Sequence, residues 1–315
     1  MGKYSRRISR REFLKASLGG LIAGQISCAP QIISGTGESP LRFGIVADVH
    51  YADTQTRGTR YYRDSLAKLS ECVATMNDQK VDFLVELGDF KDEDSPPVEQ
   101  QTLSYLKTAE KILRRFSGPT YHVLGNHDMD SISKKQFLSY VENTNIESGR
   151  SYYSFDLKGV HFVVLDANFR SDGADYDHGN FDWQDANIPS IEIDWLRKDL
   201  EAAAGETIVL IHQPLACTEF EYVNNASEVR EVLEESGKVL AVLQGHHHPG
   251  DYIEKNGICY YTLRGMVEGP GAENNSYAIV EIRRDHSITI TGFHRAASIG
   301  PTTASNPARD GLAQV

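Results

Sequence analysis

Cysteine is scarce in this chain, and what there is does not cluster. The 315 residues contain four cysteines, at Cys28, Cys72, Cys217 and Cys259, too widely spaced for a Cys-pair metal knuckle or a disulfide framework. Long apolar runs are missing as well. The most nearly apolar stretch, Ala16 to Ser27, is Gly- and Ala-rich and falls short of the roughly 20 residues a bilayer-spanning helix needs. Positive charge is in deficit: 32 Lys and Arg against 44 Asp and Glu leave a net charge of −12. A general affinity for nucleic acid backbones or anionic membranes is therefore not expected. No internal repeat is visible. What remains is an ordinary globular composition, 40% hydrophobic and 24% charged, long enough for one large α/β domain with a sizeable core.

The charge is unevenly distributed. Within residues 1–15, six bases (Lys3, Arg6, Arg7, Arg10, Arg11, Lys15) face the single acid Glu12, a net +5, so the rest of the chain carries −17. Ser9-Arg10-Arg11-Glu12-Phe13-Leu14-Lys15 followed by a weakly apolar stretch resembles a bacterial twin-arginine export signal. The resemblance implies the twin-arginine export machinery as a partner and a periplasmic or other extracytoplasmic location. Cys28 ends that stretch, but Gln25-Ile26-Ser27 matches a lipobox poorly, so membrane contact is expected only if Cys28 is lipidated. These features divide the chain into an export signal at 1–29, a Pro/Gly/Ser linker at 30–40, a catalytic domain at 41–295 and a loosely ordered tail at 296–315.

Within the domain, short apolar runs alternate with helical patterns. Strands are expected at 41–47, 81–87, 120–124, 161–165, 207–211, 239–243, 258–263 and 277–282, with a hairpin return at 287–291. Helices are expected at 60–78, 97–116, 134–142, 191–204 and 226–236, the second with Leu103, Leu106, Ala109, Leu113 and Phe116 on one face. Cys72 shares a helical stripe with Leu69 and Met76 and reads as a buried thiol. Strand–helix alternation followed by crowded strands predicts an α/β fold of sheets with helices outside them. The polar stretch 168–189 has no period; a loop serving the site and a solvated excursion both fit it.

Five expected strand ends deliver polar residues. They are Asp48-Val49-His50, Gly88-Asp89, Gly125-Asn126-His127-Asp128, His212-Gln213-Pro214 and Gly245-His246-His247-His248. Alternate residues of an extended segment point the same way, and α/β folds place their sites at the carboxyl ends of strands. Each element alone is weak, but five in this order form a metal-binding pattern of carboxylate, amide and imidazole. Lacking thiolate, such a set favours Mn, Fe, Zn or Co.

This ordered set resembles the calcineurin-like metallophosphoesterases over roughly residues 41–295. The resemblance implies a four-layer sandwich, two central mixed sheets flanked by helices. It implies one metal ion held by Asp48, His50, Asp89 and His248, and a second held by Asp89, Asn126, His212 and His246. The pair would activate a shared water for attack at phosphorus. It further implies His127 as the acid that protonates the leaving oxygen, with Asp128 holding its imidazole. His247 is expected to face away. His122, His161, His286 and His294 read as strand or surface residues, and His178 as a residue of the 168–189 loop within reach of substrate.

Tyr51-Ala52-Asp53, the block from Arg60 to Leu66, Leu165-Asp166-Ala167, Asp194-Trp195-Leu196 and Gly265-Met266-Val267-Glu268-Gly269 resemble a narrower group, the manganese-dependent ADP-ribose/CDP-alcohol diphosphatases. Animal members of that group carry Gln where His50 stands. Arg60 and Arg63, on adjacent turns of the expected helix, could grip a second phosphate together with Asn126 and His127; a capped helix with solvated charges fits equally. The expectation is an exported hydrolase of small phosphate esters or diphosphates. A broad-range phosphomonoesterase or phosphodiesterase is the nearest rival, and a non-catalytic scaffold of the same fold the more distant one.

Overall fold

The computed structural model describes residues 40–219 and 222–302. The expected export signal, nearly all of the linker and the tail beyond Thr302 lie outside the described residues. In chain order the elements are β1 (Leu41–Val46), α1 (Ser65–Gln79), β2 (Phe83–Glu86), α2 (Glu99–Leu113), β3 (Thr120–His122), α3 (Lys134–Tyr140), β4 (Tyr153–Leu157), β5 (Val160–Val164), α4 (Ser190–Ala202), β6 (Thr207–Leu210), α5 (Ala226–Ser236), β7 (Val239–Gln244), β8 (Asp251–Lys255), β9 (Ile258–Thr262), β10 (Ser276–Ile282), β11 (Ile288–His294) and β12 (Ile299–Thr302). Short 3-10 turns occur at Tyr62–Asp64, Asn126–Met129 and Ala272–Asn274.

The strands form two six-stranded mixed sheets, ordered β12-β11-β10-β1-β2-β3 and β4-β5-β6-β7-β9-β8. In the first, β1, β2 and β3 run parallel; in the second, β5, β6, β7 and β9 do. These central strands are apolar on both faces because both faces are covered. Between the sheets lies one core in which Phe43, Phe83, Phe162, Leu210, Leu243 and Tyr261 are buried, the rings of Phe43 and Phe83 stacked at 4.7 Å. Each such side chain contributes about 1.5–3 kcal/mol relative to exposure. A second core joins the outer face of the first sheet to α1, α2 and α3 through Leu69, Cys72, Leu103, Leu106, Leu113 and Phe137. A third joins the second sheet to α4 and α5 through Ile193, Leu196, Val229 and Leu233. The four-layer expectation is met.

Local signals set the helix ends. Ser133 caps α3, its Oγ accepting from the Gln136 amide at 3.1 Å while Gln136 Oε1 accepts from the Ser133 amide at 2.8 Å. Gly237 closes α5 in the left-handed region, φ 64°. Three strands escaped the sequence reading: β4, β8 and β12. All are half-polar and partly exposed, so none shows as an apolar run. β12 pairs with β11, which puts the first part of the expected tail into the sheet. The first expected helix is also corrected, since α1 starts at Ser65 and not at Arg60. Arg60 sits in extended backbone bridged to Glu268, and the Tyr61 amide donates to Val267 O at 2.9 Å. Those pairings take the backbone groups an earlier helical turn would use. No helix among the described residues is long and apolar enough to cross a membrane.

Candidate metal centre

The parallel strands of both sheets end on the same rim. The segments leaving β1, β2, β3, β6 and β7 carry Asp48 and His50, Asp89, Asn126, His212, and His246 and His248. All but His246 and His248 are essentially inaccessible; His248 is only 12% exposed. Four of these residues, Asp48, His50, Asp89 and His246, have φ between 46° and 66°. Asp and His tolerate the left-handed region better than most side chains but still at a cost, and a cluster of such residues at one rim marks a site whose geometry outranks local comfort. Gly88 (φ 96°) makes room for it: a Cβ there would lie 2.5 Å from His212 Nδ1.

Two groups of donors converge from the strand ends, Asp48 with His50 and His248, and Asp89 with His212 and His246, and a third joins His50 to Asp92 and His127. His50 Nε2 lies 3.4 Å from Asp89 Oδ2 and His248 Nε2 lies 3.3 Å from Asp48 Oδ1. On the other side, His212 Nε2 lies 3.2 Å from Asp89 Oδ2 and 3.3 Å from His246 Nδ1. Asp89 thus touches both groups. Asn126 Oδ1 is buried with no hydrogen-bond partner among the described residues, an expensive state for an amide oxygen that a cation would relieve.

The imidazoles are fixed from behind. His50 Nδ1 pairs with Asp92 Oδ2 at 3.0 Å, His248 Nδ1 with Glu268 Oε1 at 2.6 Å, and His212 Nδ1 donates to Leu87 O at 2.8 Å. Each therefore turns Nε2 inward, the arrangement metal-binding histidines adopt. Burial holds His50 neutral, its pKa down to about 4, and His246 likewise at about 3 through burial and the neighbouring His212. The Nε2 atoms of His50 and His248 face one another at 3.1 Å, a separation that either a shared proton or a metal ion taking both lone pairs satisfies; burial disfavours the proton on His248, but Asp48 and Glu268 outweigh it. Asp89 is ionised: burial opposes its charge, but His212, His127 and His50 hold its carboxyl well below the usual range. The donor set fits divalent metal ions.

Sequence reasoning placed all seven ligand candidates together, and the structure brings all seven to one rim. It missed Asp92 and Glu268, which pair with Nδ1 of His50 and of His248. Glu268 lies in a stretch singled out above for another reason; Asp92 follows Asp89 by three residues and carries no pattern of its own.

Asp128 requires correction. It does not hold His127. Its buried carboxylate accepts from the amides of Gly125 (2.8 Å), Asp89 (3.1 Å) and Phe90 (2.9 Å), clamping the loop after β2 to the loop after β3. The residue on His127 Nδ1 is Asp130, Oδ2 at 2.7 Å, because the 3-10 turn at Asn126–Met129 puts residue i+3 beside residue i. Burial lowers the affinity of His127 for a proton, but Asp130, Asp89 and Asp92 outweigh it and push its pKa up to about 10. Arg63 is corrected too: it reaches Asp53 at the surface and does not line the cavity, since it lies in the turn before α1. Arg60 does line it, with Nη1 3.4 Å from His127 Nε2. His178 pairs with Asp177 at the surface, half exposed, away from the site. His247 stands apart from the converging donor groups, its Nδ1 meeting the Tyr222 hydroxyl at 2.6 Å.

Above the ligands opens a cavity of 550 Å³ lined by Thr59, Arg60, Asp89, Asn126, His127, Trp183, Tyr222, His246, His247, His248, Pro249 and Glu268. That volume suits a small molecule.

Comparison with known proteins agrees with this geometry. Residues 41–250 match the family model described as calcineurin-like phosphoesterase. A manganese-dependent ADP-ribose/CDP-alcohol diphosphatase of Arabidopsis thaliana is 24% identical over 300 residues, covering 81% of this chain and 95% of that protein. The protein of the same name from Oryza sativa subsp. japonica is 25% identical over 304 residues, covering 82% and 94%. Among solved structures, a dimetal phosphatase from Danio rerio superposes with a TM-score of 0.73 at 23% identity, over 85% of this chain and 100% of that one. At that identity the superposition establishes the shared fold.

Proposed function

The chain belongs to the calcineurin-like phosphoesterase family as a metal-dependent phosphoester hydrolase, and we propose that it is exported and cleaves phosphate ester or diphosphate bonds of small molecules, nucleoside-diphosphate-type substrates among them. The observation that carries the reading is the facing Nε2 atoms of His50 and His248 together with the orphaned Asn126 Oδ1. Two ions, one on Asp48, His50, Asp89 and His248 and one on Asp89, Asn126, His212 and His246, would supply Lewis acidity and the positive charge that an acidic protein otherwise lacks for a phosphate. Manganese is the first candidate, from the names of the relatives.

The chain's own groups do the remainder. Arg60, at the cavity wall beside His127, offers its N–H groups to a phosphoryl oxygen. His127 carries the proton. Its Nδ1–H is held by Asp130, which leaves Nε2–H directed into the cavity to protonate the departing oxygen. Cations bound nearby would draw its pKa down from about 10 toward the range where it can release that proton. Asp92 ties the two halves together, touching His50 at 3.0 Å and lying 3.8 Å from His127 Nδ1. Export rests on Arg10, Arg11 and the Phe13-Leu14-Lys15 that follows them.

The test is a substrate panel with Mn²⁺-loaded protein: a 4-nitrophenyl monoester, a diester and ADP-ribose. Turnover of at least one, lost in His127→Ala for substrates with poor leaving groups, is expected. Failure to hydrolyse any of them would sink the reading.

A further inference from the structure

The cavity has two unlike walls. Arg60, Thr59 and Glu268 form the polar one; Trp183 and Tyr222 contribute aromatic rings to the other. Trp183 comes from the irregular 168–189 stretch and is 45% exposed, one of four large apolar residues so exposed among those described. A single exposed tryptophan is common. This one lines the metal cavity, its ring 5.8 Å from that of His246 and 6.4 Å from that of Tyr222, and the Tyr222 ring is 4.9 Å from His246.

The wall is built rather than incidental. Tyr176 is fully buried and stacks on Phe181 at 4.2 Å with planes 9° apart, which anchors the stretch two residues before Trp183. On its far side, Ala186 bridges Val223, the Asn224 amide donates to Ala186 O at 2.8 Å, and Asn224 Nδ2 donates to Asp185 at 3.0 Å. The segment bearing Trp183 is thus stitched to the segment bearing Tyr222. Tyr222 is fixed in turn through its hydroxyl to His247. Trp183 presents the open face, while Tyr222, only 7% exposed, stands beside it; an aromatic ring carried on an anchored segment beside a phosphate site is suited to the face of a planar ring carried by the substrate.

We propose that Trp183 and Tyr222 form a specificity-determining aromatic wall that takes the aromatic or heteroaromatic ring of a phosphate-bearing substrate, while its phosphate lies over the metal ligands. The inference rests on the phosphoester reading of the site, and it concerns binding, so it is tested apart from turnover. The chain has two tryptophans; in Trp195→Phe, emission reports Trp183 alone. The probes are AMP and ribose 5-phosphate, which share a sugar phosphate and differ by the base. With Mn²⁺-loaded protein, AMP should quench that emission saturably and ribose 5-phosphate should not. By calorimetry on the otherwise unaltered chain, AMP should bind about tenfold or more tighter than ribose 5-phosphate. Trp183→Ala should erase that advantage, and Trp183→Phe should retain most of it, separating ring stacking from a folding defect. Equal affinity for the two probes, or an AMP advantage that survives Trp183→Ala, would overturn the inference. Absence of turnover on every phosphate compound would overturn the catalytic reading and leave this binding comparison standing.

Discussion

Replacing Asp130 by Asn should reveal which carboxylate serves His127. The amide keeps the shape and can still accept from Nδ1–H, but the charge that stabilises the imidazolium is gone. A hydrogen bond to a charged group contributes about 1.5–3 kcal/mol. His127 and Asp130 have side-chain exposures of 27% and 13%, so solvent screening trims the figure to about 1–2 kcal/mol. Losing that charge lowers the His127 pKa, so at a pH above the lowered value the imidazolium is depopulated and, at about 1.4 kcal/mol per tenfold, kcat should fall roughly five- to thirtyfold for a substrate whose leaving group must be protonated. A 4-nitrophenyl ester needs little help from an acid, and its kcat should change less than about threefold. The assay is kcat for an alkyl and a nitrophenyl phosphate side by side, with thermal melting as a control. Asp128→Asn should behave oppositely. It weakens the clamp on the Gly125, Asp89 and Phe90 amides, lowers the melting temperature, and reduces both activities in parallel. Equal losses on both substrates in Asp130→Asn, or a leaving-group-dependent loss in an Asp128→Asn protein of unchanged stability, would refute the assignment.

Other outcomes follow from the same geometry. Glu268→Ala removes the acceptor that orients His248 and should weaken metal retention about 10–100-fold, measured by competition with a chelator of known affinity. Arg60→Ala should raise KM about tenfold, whereas Arg63→Ala, which only frees Asp53 at the surface, should leave KM within about twofold; parallel effects would contradict the placement of Arg60 alone in the cavity. Arg10→Lys with Arg11→Lys should retain the protein in the cytoplasm, read by fractionation against the unaltered chain, and undiminished export would remove the twin-arginine proposal.

The parts legible in the sequence were those that repeat or punctuate. The buried central strands showed as apolar runs because both their faces are covered, and each ligand candidate was found because it lies within a few residues of the end of such a run. What stayed hidden depended on groups meeting from distant segments. Asp92 and Glu268 matter through His50 and His248, and no local spacing announces that. Asp128 and Asp130 are both plausible neighbours of His127 on paper; the 3-10 turn decides between them. Arg60 and Arg63 looked equivalent on an expected helix, but the Arg60–Glu268 bridge keeps Arg60 extended and turns it to the cavity while Arg63 meets Asp53. Trp183 lay in a stretch with no period, and its place beside Tyr222 comes from the Ala186–Val223 bridge. The edge strands β4, β8 and β12 were missed because exposed, half-polar segments look like loops.

If the seven residues at the strand ends hold a pair of metal ions, metal stoichiometry shows it. Protein saturated with Mn²⁺ and then freed of excess should retain about two ions per chain. Asp89→Asn, which weakens the residue that touches both donor groups, should retain one or none and lose hydrolysis with it. A saturating stoichiometry of one in the unaltered chain, or two retained ions and full hydrolysis after Asp89→Asn, would mean that these strand ends do not form a two-metal site bridged by Asp89.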